Sequence, residues 1–267
     1  DLTPPLHLGR IRLRLKLKND PFAVHGIQHL SPSTCNLFTA SPALFVMDKC
    51  LKKKGQVGCA AYRGSAVEKG IAHGLENDAS VEECIKIANE EFWKLSALSG
   101  DPSREKEREA VPEMVKIGFK ELKPYGKPTS AQGEIKYVVE SISVPFIGYY
   151  DFEWANHNIL IDLKTTHALP SKISTNHARQ VALYTAARGY ENDPRLTYVT
   201  TKKCATYRLE NVSEHVKALE RIGLAIQRFL SISQDPMELA QHVVPDVDSF
   251  YFKDPMTRQA VFEIWGV

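Results

Sequence analysis

No apolar run in this chain of 267 residues approaches the ~18–20 residues that span a membrane, so we expect no membrane association. The chain also has little excess charge, because 34 Lys and Arg against 32 Asp and Glu leave a formal net charge of +2. This near-balance excludes a polycation that binds nucleic acid by its total charge, but it allows a local basic surface balanced by acids elsewhere. With 25% charged and 43% hydrophobic residues, the composition is that of a folded globular protein rather than a disordered, collagenous or coiled-coil one.

Cysteine is scarce, and its arrangement excludes two classes of small stabilised fold. The chain has five cysteines, an odd number with no C-x-x-C pair, which argues against both a disulfide framework and a zinc ribbon. The first ten residues lack the basic-then-apolar order of a signal peptide. We therefore expect a reducing compartment: the cytoplasm, or the host cytoplasm if the source is viral, with the nucleus and the mitochondrion left open.

The N-terminal region contains one regular pattern, a strict alternation of basic and apolar residues from Arg10 to Lys18. A period of two is typical of a half-buried strand, and it places Arg12, Arg14 and Lys16 on one face. One interpretation is a solvated strand face whose lysines protect an edge. The other interpretation is a row of basic side chains that contacts the phosphates of a nucleic acid. Because no acid lies among the five basic residues, the two interpretations have equal weight.

The character of the chain changes near residue 135, from helical periodicity to residues typical of strands. Before it, patterns predict helices at 31–54 and 62–75, a third after the capping box that starts at Ser80, and a fourth that starts or bends at Pro112. After it we predict strands at about 135–144, 146–154 and 158–165, a helix at about 173–189, strands at 195–201 and 204–210, and helices from near Ser213 and at 255–265. This order predicts a mixed α/β fold in a single domain, with a strand and helix over 1–60, a core over 61–210 and helices over 211–267.

Three charged residues on adjacent predicted strands carry the chemistry. A hairpin turn at 155–158 would pair Asp151 with Asp162, at ~4.5–5.5 Å between their Cβ atoms. Asp162 and Lys164 lie two apart on a strand and therefore share a face. Like charges that face each other destabilise a sheet, and a divalent cation such as Mg²⁺ or Mn²⁺ between them removes the conflict. Two acids, a metal ion and a lysine are typical of metal-assisted phosphodiester hydrolysis; the alternative is a salt bridge in which Lys164 only neutralises the acids.

Four motifs stand in order along the chain. They are R-G-x-x-x-E at Arg63–Glu68, G-x-x-D at Gly148–Asp151, D-x-K at Asp162–Lys164 and Q-x-x-x-Y at Gln180–Tyr184. Together with the segment 30–33 before a helix, this order resembles the PD-(D/E)xK nuclease superfamily, in its RecB-type and phage lambda-exonuclease-like branch. The resemblance covers roughly residues 30–200. It implies a restriction-endonuclease-like core, in which a small mixed sheet is flanked by helices with additional N- and C-terminal helices, and it implies Mg²⁺ dependence and DNA as the substrate.

The resemblance and the residue chemistry together assign roles to named positions. The catalytic residues would be Asp151, Asp162, Lys164, Gln180 and Tyr184. The metal would be held by Asp151, Asp162 and the Leu163 carbonyl, with Glu68 assisting and His73 a weaker competitor for that place. DNA would be contacted by Arg63, Ser33, Thr165, Asn176, His177, Arg12, Arg14 and Lys16. Some RecB-type relatives hold an iron–sulfur cluster through cysteines after the Q-x-x-x-Y helix, but only Cys204 follows it here, so we expect no cluster.

The sequence thus predicts a Mg²⁺-dependent DNA exonuclease of recombination, repair or phage DNA metabolism. One alternative is a structure-specific or restriction-type endonuclease on the same fold. A second is a non-catalytic DNA-binding subunit that retains the fold, and a third is an unrelated α/β protein with a chance D-x-K. Cleavage polarity, strand preference and a homo-oligomer or recombination partner protein all stay open.

Overall fold

A computed structural model of the chain describes residues 20–267, so the alternating segment at 10–18, with Arg12, Arg14 and Lys16, lies outside the described residues. In residues 20–267, five strands form one sheet in the order β1-β2-β3-β4-β5. Their bounds are β1 (Ser130–Tyr137), β2 (Phe146–Trp154), β3 (Ile159–Thr165), β4 (Asp193–Val199) and β5 (Cys204–Arg208). All neighbouring strands are antiparallel except β3 and β4, which are parallel. The sheet is therefore mixed, as predicted.

Helices precede, connect and follow the strands. They are α1 (Pro21–Val24), α2 (Pro32–Ala40), α3 (Pro42–Phe45), α4 (Cys59–Asn77), α5 (Val81–Ser96), α6 (Arg104–Leu122), α7 (Thr175–Ala187), α8 (Val212–Leu230), α9 (Pro236–Ala240) and α10 (Pro255–Trp265). A π-helical turn, Val46–Cys50, follows α3. Of the described helices, none is both long and apolar enough to cross a membrane.

Two apolar layers hold the sheet in place. On one side, Phe152 and Ile161 pack in a buried cluster with residues of α4, α5 and α6. On the other, Tyr150 and Leu160 belong to a cluster that includes residues of α2, α7 and α8. Helix α7 connects the parallel strands β3 and β4, which places its first turns after the carboxyl end of β3. Side chains from both layers can therefore reach the D-x-K segment of β3.

The first strand lies earlier than the sequence pattern predicts. We expected it at 135–144, but β1 covers Ser130–Tyr137. The apolar residues that follow it form a loop, in which Ile142 and Val144 are buried in the core without being in a strand. β1 itself is largely exposed, since only Ile135 is fully buried, and so it lacks the apolar alternation that marks a strand.

Two helix predictions also require correction. The segment predicted as one helix at 31–54 is divided at Ser41, which is extended because it precedes Pro42 and whose hydroxyl accepts a hydrogen bond from the Leu44 N–H. The lysines at 52–54 consequently follow the helical part instead of ending it. In contrast, α6 does not start at Pro112. It starts at Arg104 and continues through the proline to Leu122, because buried apolar residues anchor the turns on both sides of the proline.

Candidate active site

The hairpin of β2 and β3 has the predicted register, but its ladder opens beside Asp151. The paired residues are Phe152 with Ile161, Glu153 with Leu160 and Trp154 with Ile159. The next pair in that register would be Asp151 with Asp162, and it is not formed. Instead, the Oδ2 atom of Asp151 accepts a hydrogen bond of 2.6 Å from the main-chain N–H of Leu163. The side chain of Asp151 thus takes the place of a main-chain acceptor, which holds its carboxylate against the D-x-K segment.

Asp162 is the centre of the site and is completely buried. Its Oδ1 atom accepts a hydrogen bond of 3.1 Å from Gln180 Nε2, which also lies 2.5 Å from the phenolic oxygen of Tyr184. Its Oδ2 atom is 2.6 Å from the ammonium nitrogen of Lys164. Apart from this ion pair, that oxygen has no hydrogen-bond partner among the described residues, so it can accept a further cation. The D-x-K and Q-x-x-x-Y motifs are therefore in direct contact.

A third carboxylate reaches the site from α4. Glu68 lies beside Asp151 and Asp162, and its Oε1 atom accepts a hydrogen bond of 2.8 Å from Gln132 Nε2. Burial raises the pKa of Glu68, and the charge of Asp162 adds to the effect. Burial also raises the pKa of Asp151 well above its usual range, with further contributions from Asp162 and Glu68. The three acids thus accumulate more negative charge than the single ammonium of Lys164 can offset.

The remaining ionisable groups of the site have defined charge states. Burial lowers the pKa of Lys164, but the charges of Asp162 and Asp151 outweigh it and raise that pKa, so the ammonium stays protonated. Burial and the charge of Asp162 raise the pKa of Tyr184, which keeps the phenol neutral. Burial and the charge of Lys164 lower the pKa of His177, whose Nδ1 atom lies 2.8 Å from the hydroxyl of Tyr198. The site therefore offers one fixed cation, one neutral imidazole and one neutral phenol.

The chemistry of the acids fits a hard divalent cation. Asp162 Oδ2 is a buried oxygen that contacts the Lys164 ammonium and otherwise has no hydrogen-bond partner among the described residues, and burial together with the neighbouring carboxylates raises the pKa values of Asp151 and Glu68. Carboxylate and carbonyl oxygens are the ligands that Mg²⁺ and Mn²⁺ prefer. In residues 20–267, no group of three or more His, Cys, Asp or Glu is arranged to hold a metal ion. A cation would therefore need small movements of these side chains or a main-chain carbonyl as an additional ligand.

Arg63, predicted to contact DNA, is buried and engaged with protein groups. Its guanidinium forms an ion pair with Glu107 of α6. Its Nε and Nη2 atoms donate hydrogen bonds of 3.2 Å to the hydroxyl and the carbonyl oxygen of Thr165. The side chain of His167 completes the group, 3.0 Å from Glu107. Arg63 thus ties α4 and α6 to the residue that follows Lys164, and a direct DNA contact by Arg63 stays a prediction.

Of the other described residues predicted to bind DNA, Ser33 lies at the amino end of α2, Asn176 and His177 lie at the amino end of α7, and Thr165 ends β3. Main-chain hydrogen bonds of Leu30 with Pro145 and Ile147 fix the start of α2 to the sheet. Ser33, exposed in the first turn of α2, lies 2.8 Å from the hydroxyl of Ser31. One turn later, Asn36 donates a hydrogen bond of 3.1 Å to the carbonyl oxygen of Asn176.

Several functional candidates left no signal in the sequence. Two other residues near the motifs, His73 and Glu153, have partners of their own. Gln132 and Glu107 belong to no motif, and their contacts arise only through the tertiary fold. The main-chain carbonyl oxygen of His73, the competitor of Glu68, accepts a hydrogen bond of 2.9 Å from the side-chain amide of Asn77. Glu153, two residues after Asp151 on β2, forms an ion pair of 2.9 Å with Arg188.

Comparison with known proteins identifies the family of this chain. A search of curated proteins found no match. Among solved structures, SSO0001 is similar to 68% of this chain and 85% of its own, at 15% sequence identity and a TM-score of 0.35, a likeness too distant to support an argument. The family model of the PD-(D/E)XK nuclease superfamily matches residues 29–258, which include every motif described above. The mixed sheet flanked by helices is consistent with the restriction-endonuclease-like fold of that family. The chain belongs to the PD-(D/E)XK nuclease superfamily.

Proposed function

We propose that this chain is a divalent-metal-dependent deoxyribonuclease, and that it acts as an exonuclease in recombination, repair or phage DNA metabolism. The observation that carries the proposal is the double contact of Asp162, with Lys164 on one carboxylate oxygen and with Gln180 on the other. A chance D-x-K tripeptide would have no reason to meet the Q-x-x-x-Y helix in this way. The exonuclease assignment is supported by the resemblance of the four motifs to the RecB-type and lambda-exonuclease-like branch.

Asp151, Asp162 and the carbonyl group of Leu163 would hold the metal ion, and Glu68 would assist. Mg²⁺ or Mn²⁺ suits this set of oxygen donors. When bound, a divalent cation supplies positive charge to the phosphoryl oxygens and activates water for hydrolysis. No iron–sulfur cluster is part of the proposal.

The residues of the chain have separate tasks in this reaction. Lys164 is protonated, so it would act as a fixed cation that orients the attacking water or stabilises a phosphate oxygen, and not as a general base. Gln180 holds the carboxylate of Asp162 in one orientation, and the same amide nitrogen also donates a hydrogen bond to the phenolic oxygen of Tyr184. This arrangement keeps the acid, the lysine and the substrate position in a defined geometry.

DNA would approach across the amino ends of α2 and α7. Ser33, Asn176 and Thr165 offer hydroxyl and amide groups for phosphate oxygens, and His177 lies on the same helix as Asn176. Arg63 would contribute by fixing Thr165, in addition to any direct contact. The basic residues Arg12, Arg14 and Lys16 would add phosphate contacts.

The chain would also act as a homo-oligomer or with a recombination partner protein. Light scattering with and without DNA would detect either assembly.

The proposal is tested by digestion of DNA that is labelled at the 5′ or the 3′ end. Linear single-stranded, linear double-stranded and covalently closed circular DNA, and a matched RNA, are incubated with Mg²⁺ or with a chelator. We expect loss of linear DNA only with the metal, and we expect Asp162→Ala and Lys164→Ala to abolish it. Exposed residues on α6 provide matched controls, because Glu113→Ala and Lys116→Ala remove the same types of charge away from the site.

Each outcome separates the candidate functions. Strict dependence on a free end supports an exonuclease, whereas nicking of the closed circle identifies an endonuclease. DNA binding without cleavage under any metal condition would indicate a non-catalytic binding subunit. Full activity in both Asp162→Ala and Lys164→Ala would show that the site is elsewhere.

A further inference from the structure

Gln132 has a main-chain conformation that is unusual for its position. Its φ angle is +53°, in the left-handed region that non-glycine residues seldom adopt. In the described part of the chain, the other non-glycine residues with positive φ lie at helix ends or in turns, and Gln132 is the one inside a strand. These other residues are Lys52, Asp78, Asn158, Tyr190 and Asn211.

Gln132 lies opposite Asp151, at a gap in the pairing of β1 with β2. In the β1–β2 ladder, Ala131 pairs with Phe152 and Gly133 pairs with Tyr150, while the intervening pair of Gln132 with Asp151 is missing. The pairs before and after the gap keep the same register, so no residue has been inserted and the change is confined to Gln132. Asp151 is therefore unpaired in the ladder on both sides, towards β1 and towards β3.

The side chain of Gln132 connects this gap to the third acid. Its Nε2 atom donates a hydrogen bond of 2.8 Å to Glu68 Oε1, and this bond lowers the pKa of Glu68 against the effect of burial. Glu68 in turn lies beside Asp151, the residue opposite Gln132. One residue of β1 thus both releases the main chain of Asp151 from the ladder and orients the carboxylate of Glu68.

We infer that Gln132 is a positioning residue that presents Glu68 and Asp151 to the divalent cation. This inference rests on the proposed function, since it concerns the same metal site. Strain that is kept at one strand residue, directly opposite a metal-binding carboxylate, is typical of functional sites. A residue that orients a metal ligand acts on metal affinity rather than on the fold. Its loss should therefore weaken metal binding while the protein stays folded.

The experiment measures Mn²⁺ binding by calorimetry and thermal melting with and without the metal. In Gln132→Asn the amide is one methylene shorter, but asparagine tolerates positive φ, so the reach to Glu68 is the main change. We expect its dissociation constant for Mn²⁺ to rise about 10-fold or more, with the metal-free melting temperature unchanged. Gln132→Met keeps the length of the side chain but has no donor, and it should show the same loss. Asn158→Gly, at a turn residue with positive φ, is the control and should bind Mn²⁺ as the wild type does.

A second step tests whether Gln132 acts through Glu68. In the Glu68→Gln background, Gln132→Asn should produce no further loss of Mn²⁺ affinity. An equal loss in both backgrounds would overturn the inference, as would wild-type affinity in Gln132→Asn and Gln132→Met. Absence of Mn²⁺ binding by the wild-type protein would overturn the proposed metal site as well, so the two failures are distinguishable.

Discussion

Gly148 of β2 lies directly under the ring of Tyr184 of α7. A Cβ atom at residue 148 would be 2.7 Å from Cε1 of that ring, much closer than a van der Waals contact. The glycine of the G-x-x-D motif and the tyrosine of the Q-x-x-x-Y motif are therefore complementary in shape. Since Tyr184 contacts Gln180, and Gln180 orients Asp162, the absence of a side chain at residue 148 affects the position of the catalytic acid.

Gly148→Ala is expected to reduce both stability and activity. The methyl group would displace the Tyr184 ring, at a cost of about 1–3 kcal/mol in the free energy of unfolding. The displaced ring would also move Gln180, so kcat should fall about 10-fold or more. Urea denaturation and cleavage of linear DNA measure the two effects. Gly100→Ala is the matched control, because a Cβ atom there has no neighbour within 4 Å, and equal effects of both substitutions would contradict the explanation.

Asp151→Asn is expected to stabilise the metal-free protein at neutral and alkaline pH. Burial, with the charges of Asp162 and Glu68, raises the pKa of Asp151, so the folded protein holds this proton more tightly than the unfolded chain does. The ionised carboxylate therefore lowers the free energy of unfolding. This loss is complete above the raised pKa, and it shrinks as the pH falls from that pKa towards the usual pKa of a carboxyl group.

Urea denaturation in the presence of a chelator, from mildly acidic to mildly alkaline pH, measures this effect. The stability of the wild-type protein should decrease more steeply with rising pH than that of Asp151→Asn. Asn keeps the side-chain oxygen that accepts from the Leu163 N–H, so the fold should be retained while metal binding and cleavage are lost. Glu113→Gln serves as the exposed control, and identical pH slopes in the wild type and Asp151→Asn would refute the prediction.

The sequence predicted those parts of the site that depend on local periodicity. Strands β2 and β3 have strong apolar patterns and a short turn, so their register could be derived, and the capping box of α5 was found for the same reason. The opened ladder at Asp151 could not be derived, because it depends on the conformation of Gln132 on an exposed strand with little apolar pattern. The burial of Arg63 was equally invisible, since its partner Glu107 is distant in sequence and lies in a segment that resembles a solvated helix.

Removal of one partner from the Arg63–Glu107 pair is expected to destabilise the protein strongly. Both side chains are almost fully buried, so Arg63→Met would leave Glu107 as a buried charge with only His167 beside it. A cost of about 3–5 kcal/mol in the free energy of unfolding is typical of such a change. The double variant Arg63→Met with Glu107→Leu should be clearly more stable than the sum of the single effects implies. Urea denaturation of the wild type, the two single variants and the double variant measures these effects. If the losses of stability are additive, or if Arg63→Met is as stable as the wild type, the pair does not stabilise the fold, and a direct DNA contact by Arg63 is favoured.

Gln180→Leu is expected to impair cleavage more than Tyr184→Phe does. Gln180 Nε2 is the donor to Asp162, so leucine leaves the Oδ1 atom of that buried carboxylate without a hydrogen bond and free to rotate. Tyr184→Phe removes only the oxygen that lies beside the same amide, and the bond from Gln180 to Asp162 remains. We expect kcat to fall about 10–100-fold in Gln180→Leu and much less in Tyr184→Phe. Single-turnover cleavage of end-labelled DNA at saturating Mg²⁺ measures the difference, and the reverse order would show that the phenol of Tyr184 itself touches the substrate.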